Sequence, residues 1–225
     1  MAAFVPEPEA IQYLGRYGLP YPGHGLAGSA REAVELADEL GYPVVLKVVS
    51  EDVVHKSEAG GVLVGLKSAS EVEQGYGEIL RKVGEKAAGA SIQGVLVCQE
   101  AEEGLEIIVG GIKDQVFGPT VMFGLGGVFT EVLDDVAFRV APLSRLDAAE
   151  MVEEIRGYPL LTGIRGGKPR DIQGLVQLLL TVSRLMTERP EIMELDLNPV
   201  RIYDQGLRIL DVRMMREPGA GGSLK

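Results

Sequence analysis

The hydrophobic positions of the first hundred residues predict alternating helices and strands. The clearest helix is SAREAVELADELG, residues 29–41, where Ser29 can cap the amino end, Glu32 stands three residues later, and Gly41 can end the helix. The stretch PVVLKVV, residues 43–49, is almost continuously apolar and β-branched, which predicts a strand covered on both faces. The other elements of this half are a helix in PEPEAIQYLGRYGL ended by Gly18, strands in GVLVGL and IQGVLVCQEA, and a helix in SASEVEQGYGEILRKVGEKA.

The second half has a different pattern, in which strands follow one another directly. The stretch LEIIVGGIKDQVFGPTVMFGLGG predicts an antiparallel hairpin that turns around residues 113–115. Two helices follow, one capped near Ser144 and one capped by Asp171. Residues 191–214 predict two final strands around the turn at residues 204–206.

These elements predict a mixed α+β chain with two subdomains. The expected segments are an N-terminal helical segment at 1–21, a first subdomain at 22–100, a second subdomain at 101–215 and a flexible tail at 216–225. The change from alternating elements to hairpins is the reason for the boundary near residue 100.

Composition and charge narrow the functional classes. The chain has 225 residues and a formal charge of −11, which argues against a nucleic-acid surface but not against a bound nucleotide. The single cysteine, Cys98, lies in an apolar run and is expected to be a buried strand residue. The sequence contains neither a signal-peptide pattern nor an apolar run of the roughly 20 residues that a membrane span needs, so we expect a cytoplasmic protein.

Lys47 interrupts the most apolar strand of the chain. An ammonium group in such surroundings is costly unless an anion meets it, which favours an anion-binding role. The alternative is a lysine on an edge strand whose charged end reaches water.

An acidic group is predicted near the carboxyl end. In ELDLNPV, the residues Glu194, Asp196 and Asn198 alternate along one strand and therefore share a face, and Asp211 is expected in the partner strand. Oxygen ligands of this kind suit Mg²⁺, which completes its coordination with phosphate oxygens and water. A solvated strand face that leads into a turn is the alternative.

Two further segments are candidates for nucleotide contacts. In FGLGGVFTEVLDD, Gly126 and Gly127 permit close approach of the backbone to a ligand, although glycine loops also serve as plain turns. This segment is followed by charged residues at Glu131, Asp134, Asp135 and Arg139. In CQEAEEGLE, the backbone around Ala101 can meet an adenine edge, and Glu100 or Glu106 can meet ribose hydroxyls.

In this order, the motifs resemble those of the ATP-grasp fold. They are most similar to the ATP-grasp (β) subunit of ADP-forming acyl-CoA synthetases, the acetate–CoA ligases related to succinyl-CoA synthetase. The stretches that carry the resemblance are YGLPYP, GYPVVLKVVSEDVVHKSEAGGV, the long segment from GLEIIVGGIKD to FRVAPL, and ELDLNPV. The resemblance covers residues 7–214, with one small departure at Glu58, where the family often has Asp.

The resemblance implies an activity and a set of ligands. ATP or ADP would bind between two subdomains, with Lys47 on the phosphates and Mg²⁺ held by Asn198 and Asp211, with Asp196 as an additional candidate. A CoA-binding α subunit would complete the enzyme in an α₂β₂ assembly, since this sequence lacks a glycine fingerprint for CoA. Acyl-CoA, ADP and phosphate would interconvert with the acid, CoA and ATP. The choice of acid and of adenine or guanine stays open.

His55 is the candidate nucleophile. It follows the strand of Lys47, Gly60 and Gly61 allow the loop to bend, and Lys56 can donate to a phosphoryl group. A neutral imidazole is nucleophilic near neutral pH, so His55 is expected to carry phosphate between the subunits. The alternative is a histidine that only holds its loop.

Two other functions remain open at this stage. One is an ATP-grasp ligase that joins a carboxylate to an amine, which the histidine loop disfavours. The other is a non-catalytic, nucleotide-sensing partner of an acyl-transfer complex.

Overall fold

The computed structural model describes residues 2–53, 55–127 and 135–218. The described chain divides into two compact units. The larger unit contains residues 2–5, 9–21 and 103–218 with the gap noted above, and the smaller unit contains residues 6–8 and 22–102. Within these residues, no helix is both long enough and apolar enough to span a membrane.

The smaller unit is a four-stranded antiparallel sheet covered by two helices. Its strands are β2 (His24–Ala27), β3 (Val44–Ser50), β4 (Val62–Leu66) and β5 (Ile92–Gln99), in the order β2-β5-β3-β4. Its helices are α2 (Ala30–Leu40) and α3 (Ala69–Lys86), which pack on the sheet and on each other. The sequence prediction of buried β3 is confirmed, and Cys98 is buried in β5 as expected.

The predicted caps of α2 are confirmed. The Ser29 hydroxyl accepts a hydrogen bond from the backbone N–H of Glu32, and Gly41 ends the helix at a φ of 82°. That φ lies in the region that glycine adopts most readily, so the helix stops where the sequence predicts.

The larger unit is a seven-stranded antiparallel sheet. The main order is β1-β11-β9-β6-β7-β8, and β10 pairs with β9. The strands are β1 (Ala3–Val5), β6 (Leu105–Asp114), β7 (Gly118–Leu125), β8 (Val136–Val140), β9 (Ile192–Ile202), β10 (Leu207–Ile209) and β11 (Val212–Arg216).

Two helices pack on this sheet. The remaining helices of the described chain are α1 (Glu7–Gly15), which begins in the smaller unit, and α4 (Arg145–Glu154), α5 (Tyr158–Thr162) and α6 (Ile172–Glu188), with a 3₁₀ turn at Ile164–Gly166. Of these, α6 packs on β6, β7 and β9, and α4 packs on β7 and β8. The predicted caps are present, since the Ser144 and Asp171 side chains accept hydrogen bonds from the N–H groups of Asp147 and Gly174.

Three sequence predictions need correction. Helix α1 ends at Gly15, and Gly18 lies in the turn after it. The β6–β7 hairpin turns at residues 115–117 instead of 113–115, because Asp114 accepts hydrogen bonds from the N–H groups of Val116 and Phe117 and so closes the turn. Arg216, which was assigned to the tail, pairs with β1; residues 219–225 of that tail lie outside the described chain.

Candidate functional site

Lys47 lies inside the smaller unit and not at its surface. Only 7% of the residue is exposed, which rules out the alternative of a lysine that reaches into water. Its Nζ donates to Glu7 Oε1 at 2.8 Å, and the other carboxylate oxygen accepts from Lys56 Nζ. The anion that meets Lys47 in this structure is therefore a carboxylate of the chain itself.

The three charges stabilise one another against the cost of burial. Burial alone would raise the pKa of Glu7, but the charges of Lys47 and Lys56 and their hydrogen bonds outweigh it and lower that pKa to about 2. Glu7 is therefore ionised at neutral pH. One carboxylate between two ammonium groups leaves a net positive charge, which suits a nearby anion.

The histidine loop is closed by its own backbone. The N–H of Ala59 donates to the carbonyl of His55 at 3.1 Å, and the N–H of Gly61 donates to the carbonyl of Lys56 at 2.7 Å. The carbonyl of Gly61 then accepts from the N–H of Val48 in β3 at 2.7 Å. A Cβ on Gly61 would lie 2.4 Å from Val48 Cγ1, so glycine is required at this close approach.

Neighbouring residues of this loop face different surroundings. His55 is exposed, whereas Lys56 is buried. The ammonium group of Lys56 donates to Glu7 in this structure, and its predicted contact with a phosphoryl group stays a prediction. The exposed imidazole remains available as a nucleophile.

Three residues of the predicted acidic group influence one another electrostatically in the larger unit. Burial raises the pKa of Asp196, and the charges of Glu194 and Asp211 raise it further against the opposing charge of Arg213. The carboxylates therefore lie close enough to repel one another. A divalent cation would relieve that repulsion, so these residues fit the expected Mg²⁺.

Asp211 lies in a break between β10 and β11, which corrects its predicted position within one continuous strand. Pro199 has no N–H to donate, and around it the backbone forms an irregular pair of bonds, from the N–H of Leu210 to the carbonyl of Pro199 and from the N–H of Asn198 to the carbonyl of Asp211. These bonds bring Asn198 and Asp211 side by side.

The protein alone supplies few metal ligands here. Among the described residues, no three histidine, cysteine, aspartate or glutamate side chains form a group that could hold a metal ion. Mg²⁺ usually takes one or two carboxylates and completes its coordination with substrate phosphates and water, so this small ligand set is suited to a metal that arrives with a nucleotide.

Gly126 and Gly127 lie beside Glu106, one of the two carboxylates predicted to contact the ribose. The N–H of Gly126 donates to the carbonyl of Glu106 at 2.7 Å, and Gly127 has a φ of 65°. The Glu106 carboxylate accepts from Arg201 at 3.1 Å, across the β6–β9 pairing. Glu106 therefore already has a cationic partner in this structure.

The remaining predicted residues are found in several settings. Glu100 and Ala101 follow β5, and the N–H of Glu100 donates to the carbonyl of Pro43 at 3.0 Å. Asp135 accepts from the N–H groups of Arg156 and Gly157, which is a structural role. Arg139 pairs with Glu154, while Glu131 and Asp134 lie outside the described residues.

Glu7 was not predicted from the sequence as a partner of Lys47. Glu7 and Glu9 are the two acidic residues at the start of the chain, and the partners of Glu7 are 40 and 49 residues away. The lysine in an apolar strand was a signal that an anion should be present, but no local pattern distinguishes Glu7 from Glu9.

The two antiparallel sheets, the buried lysine and the acidic strand are those expected of a nucleotide-binding ATP-grasp fold. The profile of the ATP-grasp domain family matches residues 2–215, so the chain belongs to that family. The resemblance and the fold class expected from the sequence are thereby confirmed.

The relatives define the family more narrowly. The chain is 44% identical over 209 residues to the β subunit of acetate–CoA ligase [ADP-forming] I of Pyrococcus furiosus. The matched region covers 93% of this chain and 90% of that subunit. It is 46% identical over 207 residues to acetate–CoA ligase [ADP-forming] I of Archaeoglobus fulgidus, covering 92% of this chain but 30% of that longer protein. The chain thus corresponds to nearly all of one relative and to under a third of the other.

Solved structures agree with these relatives. Acetyl-coenzyme A synthetase 1 of Ca. Korarchaeum cryptofilum, in complex with coenzyme A and Ca-AMPCP, matches with a TM-score of 0.93 and 47% identity, covering 96% of this chain and 94% of that one. The same synthetase with a phosphorylated phosphohistidine segment matches with a TM-score of 0.87 and 45% identity, with the same coverage.

Proposed function

We propose that this chain is the ATP-grasp subunit of an ADP-forming acyl-CoA synthetase. The enzyme would interconvert acyl-CoA, ADP and phosphate with a carboxylic acid, CoA and ATP. A CoA-binding α subunit would supply the rest of the enzyme, in an α₂β₂ assembly. The observation that carries the proposal is an exposed histidine, His55, on a closed loop whose next residue is tied to the same carboxylate as Lys47.

His55 would act as the phosphoryl carrier. An imidazole nitrogen attacks the γ-phosphorus of ATP, the N–P bond forms, and the bond to the ADP oxygen breaks. The return of the phosphoryl group, to ADP or to a histidine of the partner, regenerates the free imidazole. In such transfers, positioning and charge neutralisation supply most of the catalysis.

Several residues would bind the nucleotide. Lys47 would contact the phosphates, and Glu100 and Ala101 would contact the adenosine. Further contacts would come from Glu106 and the backbone of Gly126 and Gly127.

Mg²⁺ would be held by Asn198 and Asp211, with Asp196 nearby. When bound, the metal would neutralise phosphate charge. These residues would orient the metal, and its positive charge would offset the burial and the neighbouring negative charges that raise the pKa of Asp196.

Labelling with γ-³²P ATP tests the proposal. The chain mixed with its α subunit should acquire acid-labile, base-stable label on His55, and His55→Ala should abolish both the label and ATP-coupled turnover. His24→Ala is the matched control, because His24 is the other histidine of the chain and also lies in the smaller unit. Full turnover in His55→Ala would reduce His55 to a loop anchor, and nucleotide binding without any label would favour a nucleotide-sensing partner.

A further inference from the structure

We propose that Glu7 is a positioning residue for phosphoryl transfer, because its carboxylate joins the strand of Lys47 to the loop that carries His55. The inference rests on the proposed function of His55. Glu7 itself touches neither ATP nor the imidazole in this proposal, and acts through the two lysines.

Each oxygen of Glu7 has its own ammonium partner. Oε1 accepts from Lys47 at 2.8 Å, and Oε2 accepts from Lys56. The Glu7 side chain is fully buried, and those of Lys47 and Lys56 are each 9% exposed. Water can therefore replace neither partner cheaply, and the three groups are held together by the cost of separating buried charges.

Lys56 is fixed at two points, and both lead to β3. Its side chain reaches Glu7, which also binds Lys47 of β3. Its carbonyl accepts from the N–H of Gly61, whose own carbonyl accepts from Val48 of the same strand. The backbone beside His55 is thus clamped through a side chain at one end of the loop and through main-chain bonds at the other.

The clamp determines which way the loop faces. Because Lys56 turns into the unit to meet Glu7, the adjacent His55 is left at the surface. If the inward anchor were lost, Lys56 could leave the interior and the loop could rotate, which would displace the imidazole. Displacements of about 1 Å at a reacting group can reduce a rate by roughly 100-fold.

A substitution that removes the charge but keeps the shape isolates this role. Glu7→Gln retains the length and one acceptor oxygen but no longer balances two ammonium groups. Glu9→Gln is the matched control, since Glu9 lies on the same helix and its ion pair with Arg216, at 3.9 Å, is partly exposed.

The first measurement is amide hydrogen exchange in the loop, which does not depend on any activity. In Glu7→Gln, the N–H groups of Ala59 and Gly61 should exchange at least about 10-fold faster than in the wild-type chain, because local opening costs less free energy. In Glu9→Gln their exchange should be unchanged.

The second measurement is the single-turnover rate of ³²P transfer from saturating ATP to His55, with the α subunit present. Glu7→Gln should slow it by roughly 10- to 100-fold, and Glu9→Gln should leave it unchanged. Lys56→Met should also slow it, and the double variant should be little slower than Glu7→Gln, since both changes break the Glu7–Lys56 interaction.

Each outcome decides the proposal. Faster exchange with slower transfer supports it. Unchanged exchange in Glu7→Gln overturns it, even if transfer slows, because Glu7 would then act through Lys47 alone. Faster exchange with normal transfer also overturns it.

If Glu7→Gln does not fold, Lys56→Met keeps the Glu7–Lys47 pair, and a normal loop in that variant overturns the proposal. If the wild-type chain acquires no label on His55 but the loop still exchanges faster in Glu7→Gln, the clamp is supported. The role of His55 as phosphoryl carrier is then refuted.

Discussion

The stability of the protein should depend on the ionisation of Glu7 in acid. Its pKa is lowered from an ordinary value of 4.5 to about 2, because two lysines outweigh the effect of burial. Between these values the unfolded chain binds a proton that the folded chain does not. The free energy of unfolding must therefore fall as the pH is lowered through this range.

The expected size follows from the two pKa values. A difference between 4.5 and 2 corresponds to about 3 kcal/mol of stability from this carboxylate at neutral pH. The contribution is fully present above pH 4.5, less than half of it remains near pH 3, and it is lost below pH 2. Removing one partner of a buried ion pair costs about 3–5 kcal/mol, so Glu7→Gln should be less stable by about that amount at pH 7.

Urea unfolding followed by far-UV circular dichroism can measure this effect at several values between pH 7 and pH 3. The wild-type chain should have a higher free energy of unfolding than Glu7→Gln at pH 7. This gap should narrow by about 2 kcal/mol when the pH is lowered to 3. Glu9→Gln should follow the wild-type curve. A gap that stays constant from pH 7 to pH 3 would refute the reasoning, and so would a gap that closes already above pH 5.

Three other substitutions test separate parts of the structure. Lys47→Met should lower nucleotide affinity or turnover by roughly 100-fold, measured by calorimetry and a coupled ATP assay; unchanged values would remove Lys47 from the phosphate site. Asp211→Asn should raise the Mg²⁺ concentration needed for half-maximal turnover, and an unchanged requirement would contradict its role as a ligand. Gly157→Ala should lower the free energy of unfolding by about 1–3 kcal/mol, because a Cβ there would lie 2.1 Å from Leu125 Cδ1. Gly77→Ala, with nothing within 4 Å, is its control and should not destabilise.

Features that depend on near neighbours in the sequence could be predicted from it. The caps of α2 at Ser29 and Gly41 are formed by residues within the same turn. The β6–β7 hairpin was predicted, although its turn lies at residues 115–117 and not at 113–115. Three short strands, β1, β2 and β8, were missed. Each lies at the edge of its sheet and is stabilised by pairing with β11, β5 or β7, which the local pattern does not indicate.

The candidate site was predictable to a similar extent. Burial of Lys47 follows from the apolar residues around it, and the shared face of Glu194 and Asp196 follows from strand periodicity. The carboxylate of Glu7 could not be predicted, because a contact over 40 residues has no local signal. The strand break at Asp211 lies beside Asn198 and Pro199 of the neighbouring strand, and the sequence around Asp211 gives no local signal of this pairing.

The pairing of β1 with β11 has a consequence for synthesis on the ribosome. Ala3 is opposite Arg216, so β1 pairs with a strand that is synthesised much later. The strands of the smaller unit lie between His24 and Gln99, and this sheet can form while the rest of the chain is still being made. In the larger unit, by contrast, β1 must wait for β11, its partner in the sheet. It therefore stays an unpaired edge until β11 has been made, and it is exposed to mispairing during that time.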